Sequence, residues 1–482
     1  MSEMKSLAKD TAIYGLSSII GKFLNYLLVP LYTYALARTA DYGIVTNIYA
    51  WTALLLVLLT YGMETGFFRY ANREEYDPKS VYKTSYFTLL SSSALFTILV
   101  VIFHRPLAIV LGYPDHAEFV EMMFATVAID AFACIPFAYL RYQKRPLLFA
   151  ALKLLFVLLN IGFNILFLVV LGYNDVFYVF LSNILATTIQ TLCLLPFTLP
   201  RGGKFDGSVL REMLKYSLPL LILGVAGIMN QTLDRILFPY LYPYDDAQAQ
   251  LGIYGACFKV AMVMMMFTQA FRYAYEPFVF AKHKDRHSVE AYADAMKYYI
   301  IFSYLILLGV IFYLDIFRYI ISSAYWEGLK IVPVVLWTYV FQGIYFNLSF
   351  WYKLTDETKW GAYFSMIGLA ITLVLQLIGV PRIGYWASCG SSLVCYLVIM
   401  LLSYFIGQRK APIPYDLRRI GAYTALTLGL LGIYYALRLY YIHNTWLLMA
   451  AGTLLIGIYL FVLTRRDFPL SAIIHRSINR KS

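Results

Sequence analysis

The stretch 15–44, GLSSIIGKFLNYLLVPLYTYALARTADYGI, returns 209 residues later as 224–253, GVAGIMNQTLDRILFPYLYPYDDAQAQLGI. Aligned without a gap, the two copies match Gly15 with Gly224, Ile19 with Ile228, Leu24 with Leu233, Leu28 with Leu237 and Pro30 with Pro239. Beyond a turn, Ala40 meets Ala249, Gly43 meets Gly252 and Ile44 meets Ile253. Chance identities are easy in apolar sequence, so the spacing matters more than the number of matches. In both copies a proline lies at the outer end of an apolar helix and a glycine opens the next helix, and the two keep their spacing. The fold is expected to be built twice.

Working outward from this repeat, 61% of the chain is hydrophobic and only 14% charged, far from the balance of a soluble domain. The chain reads as an all-α polytopic membrane protein, because a helix satisfies its own backbone polar groups in lipid. About 20 apolar residues make one crossing. Fourteen spans are predicted, at 11–36, 43–66, 84–103, 117–140, 147–172, 176–198, 214–240, 251–271, 296–315, 331–351, 360–380, 383–407, 420–437 and 445–464. The apolar stretch after Met1–Asp10 is too long for a cleaved leader and lacks a small-residue cleavage site, so it is expected to remain as a span. Connections are short, the longest being 272–297, and leave no room for a soluble domain.

The predicted organisation is a six-helix bundle over 1–205, a second over 206–410, and two further spans with a basic tail over 411–482. A six-span repeat enters the membrane twice from the same side. Its copies are therefore related by an axis along the membrane normal, with a cleft between them that rocking opens to alternate faces. Spans thirteen and fourteen have no charge in their interiors and are expected to face lipid.

Of the 39 Lys and Arg residues, 29 lie in the termini and the loops on one side. The opposite loops hold only Arg38, Arg105, Arg318, Lys330, Arg382 and Arg438. The positive-inside rule then puts both termini in the cytoplasm. The net charge of +12 follows from topology and from attraction to anionic lipid, and calls for no nucleic-acid partner.

Against this background, charges within spans stand out. Each costs about 2.5–3.5 kcal/mol on insertion scales and marks a candidate site. Lys22 and Asn25 on span one correspond through the repeat to Gln231 and Asp234 on span seven, and residues three apart share a helical face. The two halves thus present equivalent polar faces to the cleft. Arg235 lies four residues from Gln231, while Lys153 and Lys259 add positive charge from spans five and eight. Glu64, Asp130 and Asp234 supply counter-charge, either as structural partners of the cations or as sites for a coupling proton or sodium ion. This pattern suits an anionic ligand, although intramembrane ion pairs also serve as staples and Lys near a helix end snorkels to the headgroups.

Other chemistries find little support. The five cysteines show no metal-ligand spacing, and all six histidines fall at loops or span ends. There is no Walker A sequence, no nucleophile elbow, and no large loop to hold an acceptor; Asp245-Asp246 reads as turn polarity. No metal or organic cofactor is expected, and neither is catalysis.

Gly62-Met63-Glu64-Thr65-Gly66-Phe67-Phe68-Arg69-Tyr70 closes span two and Ala270-Phe271-Arg272-Tyr273-Ala274-Tyr275-Glu276-Pro277-Phe278 closes span eight. With the duplicated six-span plan, these segments make the whole chain resemble the bacterial polysaccharide flippases of the multidrug/oligosaccharidyl-lipid/polysaccharide exporter superfamily. The resemblance implies inversion of an undecaprenyl-diphosphate-linked oligosaccharide, an O-antigen or capsule repeat unit, across the bacterial inner membrane without ATP hydrolysis. It also suggests a glycan polymerase or assembly complex as partner. Arg69 and Arg272 become candidate capture residues for the diphosphate, with positive-inside anchoring as their plain alternative. A lipid II flippase, a cation-coupled multidrug exporter and a membrane-embedded glycan-processing enzyme stay open at this stage.

Overall fold

A computed structural model describes residues 20–21, 23–24, 26–282, 288–355, 357–441 and 444–467. These residues form helices and connecting turns, with no strand among them. The helices are α1 (Leu28–Ala35), α2 (Thr39–Ala71), α3 (Pro78–Val110), α4 (Ala117–Tyr142), α5 (Pro146–Val170), α6 (Val176–Thr198) and α7 (Gly207–Leu241). Then follow α8 (Ala247–Val260 and Met262–Lys282), α9 (Val289–Phe312), α10 (Ser323–Leu354), α11 (Lys359–Ile383), α12 (Tyr385–Lys410), α13 (Leu417–Tyr440) and α14 (Thr445–Arg466). Apart from α1, each is long and apolar enough to cross a bilayer, α8 as a bent pair. Residues 11–19 of the first predicted span, with Lys22 and Asn25, lie outside the described residues.

Local chemistry sets the boundaries. Asp77 caps α3 by accepting from the Lys79 and Ser80 amides, with Pro78 at the first helical position. Asp206 caps α7 in the same way through Ser208 and Val209, and Asn444 caps α14 through Trp446 and Leu447. Tyr61 and Gly62 both adopt left-handed φ, 32° and 72°, and break α2 there. The following turns from Met63 to Ala71 consequently point their own way. α8 bends by 47° at Ala261. The first break opens the segment that closes span two, 62–70, and the second comes before the one that closes span eight, 270–278.

The two halves repeat one packing plan. α3 pairs with α4, α4 with α6 and α5 with α6; correspondingly α9 pairs with α10, α10 with α12 and α11 with α12. Between the halves, α2 lies along α7 and α8. The repeat-related glycines meet across this seam. A Cβ on Gly43 would stand 1.8 Å from the Gln248 carbonyl oxygen, and one on Gly252 would stand 2.0 Å from that of Thr39. The first turns of α2 and α8 thus touch backbone to backbone. This is the self-complementary contact expected at a two-fold axis, and it closes the cleft at what is here called the glycine end. The opposite, basic end carries the loops rich in Lys and Arg.

Two expectations need revision. The predicted connection 272–297 is mostly helix: α8 runs to Lys282 and helix resumes at Ser288, leaving 283–287 outside the described residues. Nor is the pair α13–α14 merely lipid-facing. The Tyr459 hydroxyl donates to the Ile301 carbonyl at 2.8 Å, Tyr434 to that of Phe312 at 3.3 Å, and Tyr304 meets Thr424 at 2.9 Å, seating the pair on α9. Their outer faces are apolar and bare, as are those of α3 and α5: Leu454 is 72% exposed, Val110 71% and Leu147 72%. Such a belt is stable only against lipid.

Candidate functional site: a charged cleft between the halves

Three adjoining cavities run through the seam. One of about 480 Å³ lies between α2, α4, α7 and α8 and is lined by Tyr42, Tyr49, Thr126, Asp130, Asn160, Asn183, Arg235, Phe258 and Lys259 among others. It shares Leu56, Asp130 and Phe156 with a cavity of about 570 Å³ toward the basic end, which adds Glu64, Cys134, Phe137, Arg141, Lys153 and Gln190. It shares Ala53, Thr232, Arg235, Phe258 and Lys259 with a third of about 260 Å³ reaching into the second half, where Gln231, Asp234, Tyr339, Gln342 and Tyr396 appear. Together they form one cleft with polar groups from both halves.

The helices place the charges at unequal cost. Asp234 is buried, 3% exposed, and accepts from the Tyr254 hydroxyl at 2.5 Å; Arg235 Nε lies 4.0 Å from its Oδ2. The Arg235 guanidinium also sits 4.2 Å from the Phe258 ring centre, so an aromatic face offsets part of its desolvation. Asn47 of α2 donates to the Arg235 carbonyl at 2.7 Å and is held by Tyr113, tying the two halves at this level. Lys153 points its ammonium at Phe137, 3.8 Å from the ring centre, and interacts electrostatically with Asp130. Lys259 has no carboxylate within ion-pair range among the described residues, and Arg235 is its charged neighbour. Two cations sharing one cavity with a single close carboxylate leave positive charge for a bound anion to balance.

At the basic end of the cleft, Arg141 forms an ion pair with Glu64, and Cys134 Sγ donates to the same carboxylate at 3.2 Å. Arg141 was grouped from sequence with the loop cations; the helix instead carries it to the cleft wall. Its signal was available: Asp130, Cys134, Phe137 and Arg141 stand at i, i+4, i+7 and i+11, one face of α4. The tyrosines and Gln342 were also missed, since 44 Tyr in the chain hide the few that line a cleft.

Of the predicted site residues, Glu64, Asp130, Lys153, Gln231, Asp234, Arg235 and Lys259 are brought together along this cleft. Arg69 and Arg272 lie outside it, with guanidinium carbons 4.0 Å from the Tyr216 ring centre and 4.5 Å from that of Phe346. Lys22 and Asn25 fall outside the described residues.

Duplicated helical bundles around a polar cleft, in a body girdled by apolar side chains, define a multi-pass membrane protein with transporter architecture. By fold it resembles a structure of the lipid II flippase MurJ in an inward closed conformation, with a TM-score of 0.75 at 14% identity over 94% of this chain and 98% of that one. It also resembles multidrug resistance MATE family transporters of the MOP superfamily. The inward-facing conformation gives a TM-score of 0.66 at 12% identity over 86% and 99% of the two chains, the outward-facing one 0.59 at 14% over 86% and 96%. Residues 7–275 match the polysaccharide biosynthesis protein family, and the chain belongs to that family. No curated protein matches the sequence.

Proposed function

We propose that this protein is a flippase for a prenyl-diphosphate-linked oligosaccharide, carrying O-antigen or capsule repeat units from the cytoplasmic to the outer leaflet of a bacterial inner membrane. The observation that carries the reading is the excess of cations where the halves meet. The described cleft residues include Arg141, Lys153, Arg235 and Lys259 against Glu64, Asp130 and Asp234. A diphosphate is costly to move through hydrocarbon, and arginine forks and an unpaired lysine offset that cost. The prenyl tail stays in lipid while the head crosses. Family membership and the shared fold support the same reading.

In this mechanism the basic end faces the cytoplasm and the glycine end faces outward. Rocking of the halves breaks the contact of α2 with α8 and opens the cleft to the other side. No nucleotide chemistry or catalysis is involved. Glu64 and Asp234 each keep an arginine at hand, and a phosphate that takes the arginine leaves the carboxylate to exchange a coupling proton or sodium ion. A drug exporter for organic cations would need a cleft of the opposite charge balance.

The test is transfer in liposomes containing the purified chain and a prenyl-diphosphate oligosaccharide, scored with a membrane-impermeant sugar-oxidising reagent. Transfer by the wild type and a loss of about ten- to a hundredfold in Arg235→Ala and Lys259→Ala, the worth of one charge-assisted hydrogen bond, support the proposal. Unchanged transfer in both variants removes the cleft from the mechanism.

A further inference from the structure

The side that is poor in basic residues spends half of them in one place. Among Arg38, Arg105, Arg318, Lys330, Arg382 and Arg438, three line a single cavity of about 400 Å³ between the start of α10 and the end of α13: Arg318, Lys330 and Arg438. Topology explains why such residues are scarce there, and it does not explain why they converge. The cavity also holds Trp326, Tyr435 and one carboxylate, Asp315.

Its geometry is built rather than incidental. Asp315 lies 3.6 Å from Arg318 and 3.5 Å from Arg438, so one anion holds two guanidinium groups side by side. Arg318 stacks with its guanidinium carbon 4.5 Å from the Trp326 ring, and Trp326 Nε1 donates to the Arg318 carbonyl at 2.9 Å, fixing ring and backbone together. Arg318 Nε is buried and has no hydrogen-bond partner among the described residues. Lys330 has no ion-pair partner among the described residues, so three cations face one carboxylate. Arg438 reaches the cavity because α13 ends in a π-helical turn, Leu437–Tyr441, a local irregularity frequent at functional sites. Around it, Tyr319 and Tyr440 are exposed, as aromatic side chains are at the level of lipid headgroups.

We infer that this cavity is a binding site for the phosphate of a lipid headgroup, on the glycine end of the molecule and outside the cleft. The arginine forks take the phosphate oxygens, Lys330 supplies the remaining charge, and Trp326 and Tyr435 form the wall between headgroup and chains. The inference does not rest on the flippase reading. The lipid is either a bulk anionic phospholipid or a prenyl phosphate, and these share the chemistry of recognition.

The experiment is native mass spectrometry of the full chain released from nanodiscs of phosphatidylcholine, doped separately with phosphatidylglycerol and with undecaprenyl diphosphate. Wild type is expected to retain one doped lipid more tightly than phosphatidylcholine. Lys330→Gln, which breaks no described contact and so spares the fold, is expected to weaken retention about fivefold. The triple variant Arg318→Gln/Lys330→Gln/Arg438→Gln should abolish the preference, and the control Arg38→Gln/Arg105→Gln/Arg382→Gln should keep it. Retention of both dopants identifies a general anionic-lipid site, and retention of the prenyl lipid alone identifies a cargo site. Equal retention by wild type and Lys330→Gln, or equal losses in the triple variant and its control, would overturn the inference.

Discussion

Lys259 and Arg235 differ in what holds them. Arg235 has Asp234 and a Phe258 face, whereas Lys259 has neither a described carboxylate nor a described hydrogen bond. A substitution at Lys259 therefore changes ligand handling with little structural effect, and Lys259→Met is expected to keep the wild-type melting temperature while transfer falls. Tyr254→Phe should behave in the opposite sense. It removes the 2.5 Å hydrogen bond to buried Asp234 and leaves a carboxylate less satisfied, so thermal unfolding in detergent should show a loss of about 1–3 kcal/mol. An unchanged melting temperature for Tyr254→Phe would show that Asp234 finds another donor. At this scale the sequence exposes charges but not their partners. Arg235 and Lys259 stood out because charge is rare within apolar helices. Arg141 did not, because it falls just past the predicted end of span four and was counted with the loop cations, although its spacing from Asp130 puts it on the same face of α4. Tyr254 was invisible for a different reason: nothing local separates a tyrosine that bonds a buried carboxylate from one that only packs.

Elements act through their ends and breaks. Gly43 and Gly252 allow α2 and α8 to touch backbone to backbone, and no side chain fits either position without separating them. Gly43→Val is expected to hold the glycine end apart. Spin labels at Ala37→Cys and Asp245→Cys should report a longer distance than in the glycine parent, and transfer should fall with it; an unchanged distance would mean that the seam has slack. The helix caps give a separate test. Hydrogen bonds from Ser80 and Ser208 with nearby backbone amides lower the pKa of Asp77 and Asp206 below the usual carboxylate value. Their folded pKa is depressed, so their contribution is complete above about pH 4 and fades as the pH falls through the lowered value. Asp77→Asn/Asp206→Asn should flatten the acid limb of the stability profile and leave neutral pH nearly unchanged. Helix number and order were legible from apolar runs. The breaks were not, because Tyr61 takes left-handed φ in response to its surroundings and the bend at Ala261 follows no proline.

The whole molecule is two bundles that meet at one glycine seam, with a cationic cleft behind it and a pair of helices seated on α9. The repeat read from 15–44 and 224–253 equates Gly43 with Gly252 without foretelling that they touch; the structure brings them together, as equivalent residues of a two-fold arrangement meet at its axis. Nor did the repeat anticipate the docking of α13 and α14, which depends on tyrosine hydroxyls reaching backbone carbonyls on α9. In the proposed mechanism, rocking of these bundles moves a lipid-linked glycan between leaflets. Its most direct test is mass spectrometry of prenyl-linked glycans in cells depleted of the protein, with leaflet location read from an impermeant sugar-modifying reagent. A completed diphosphate-linked oligosaccharide is expected to accumulate in the cytoplasmic leaflet. A glycan-lipid pool unchanged in amount and location would contradict it.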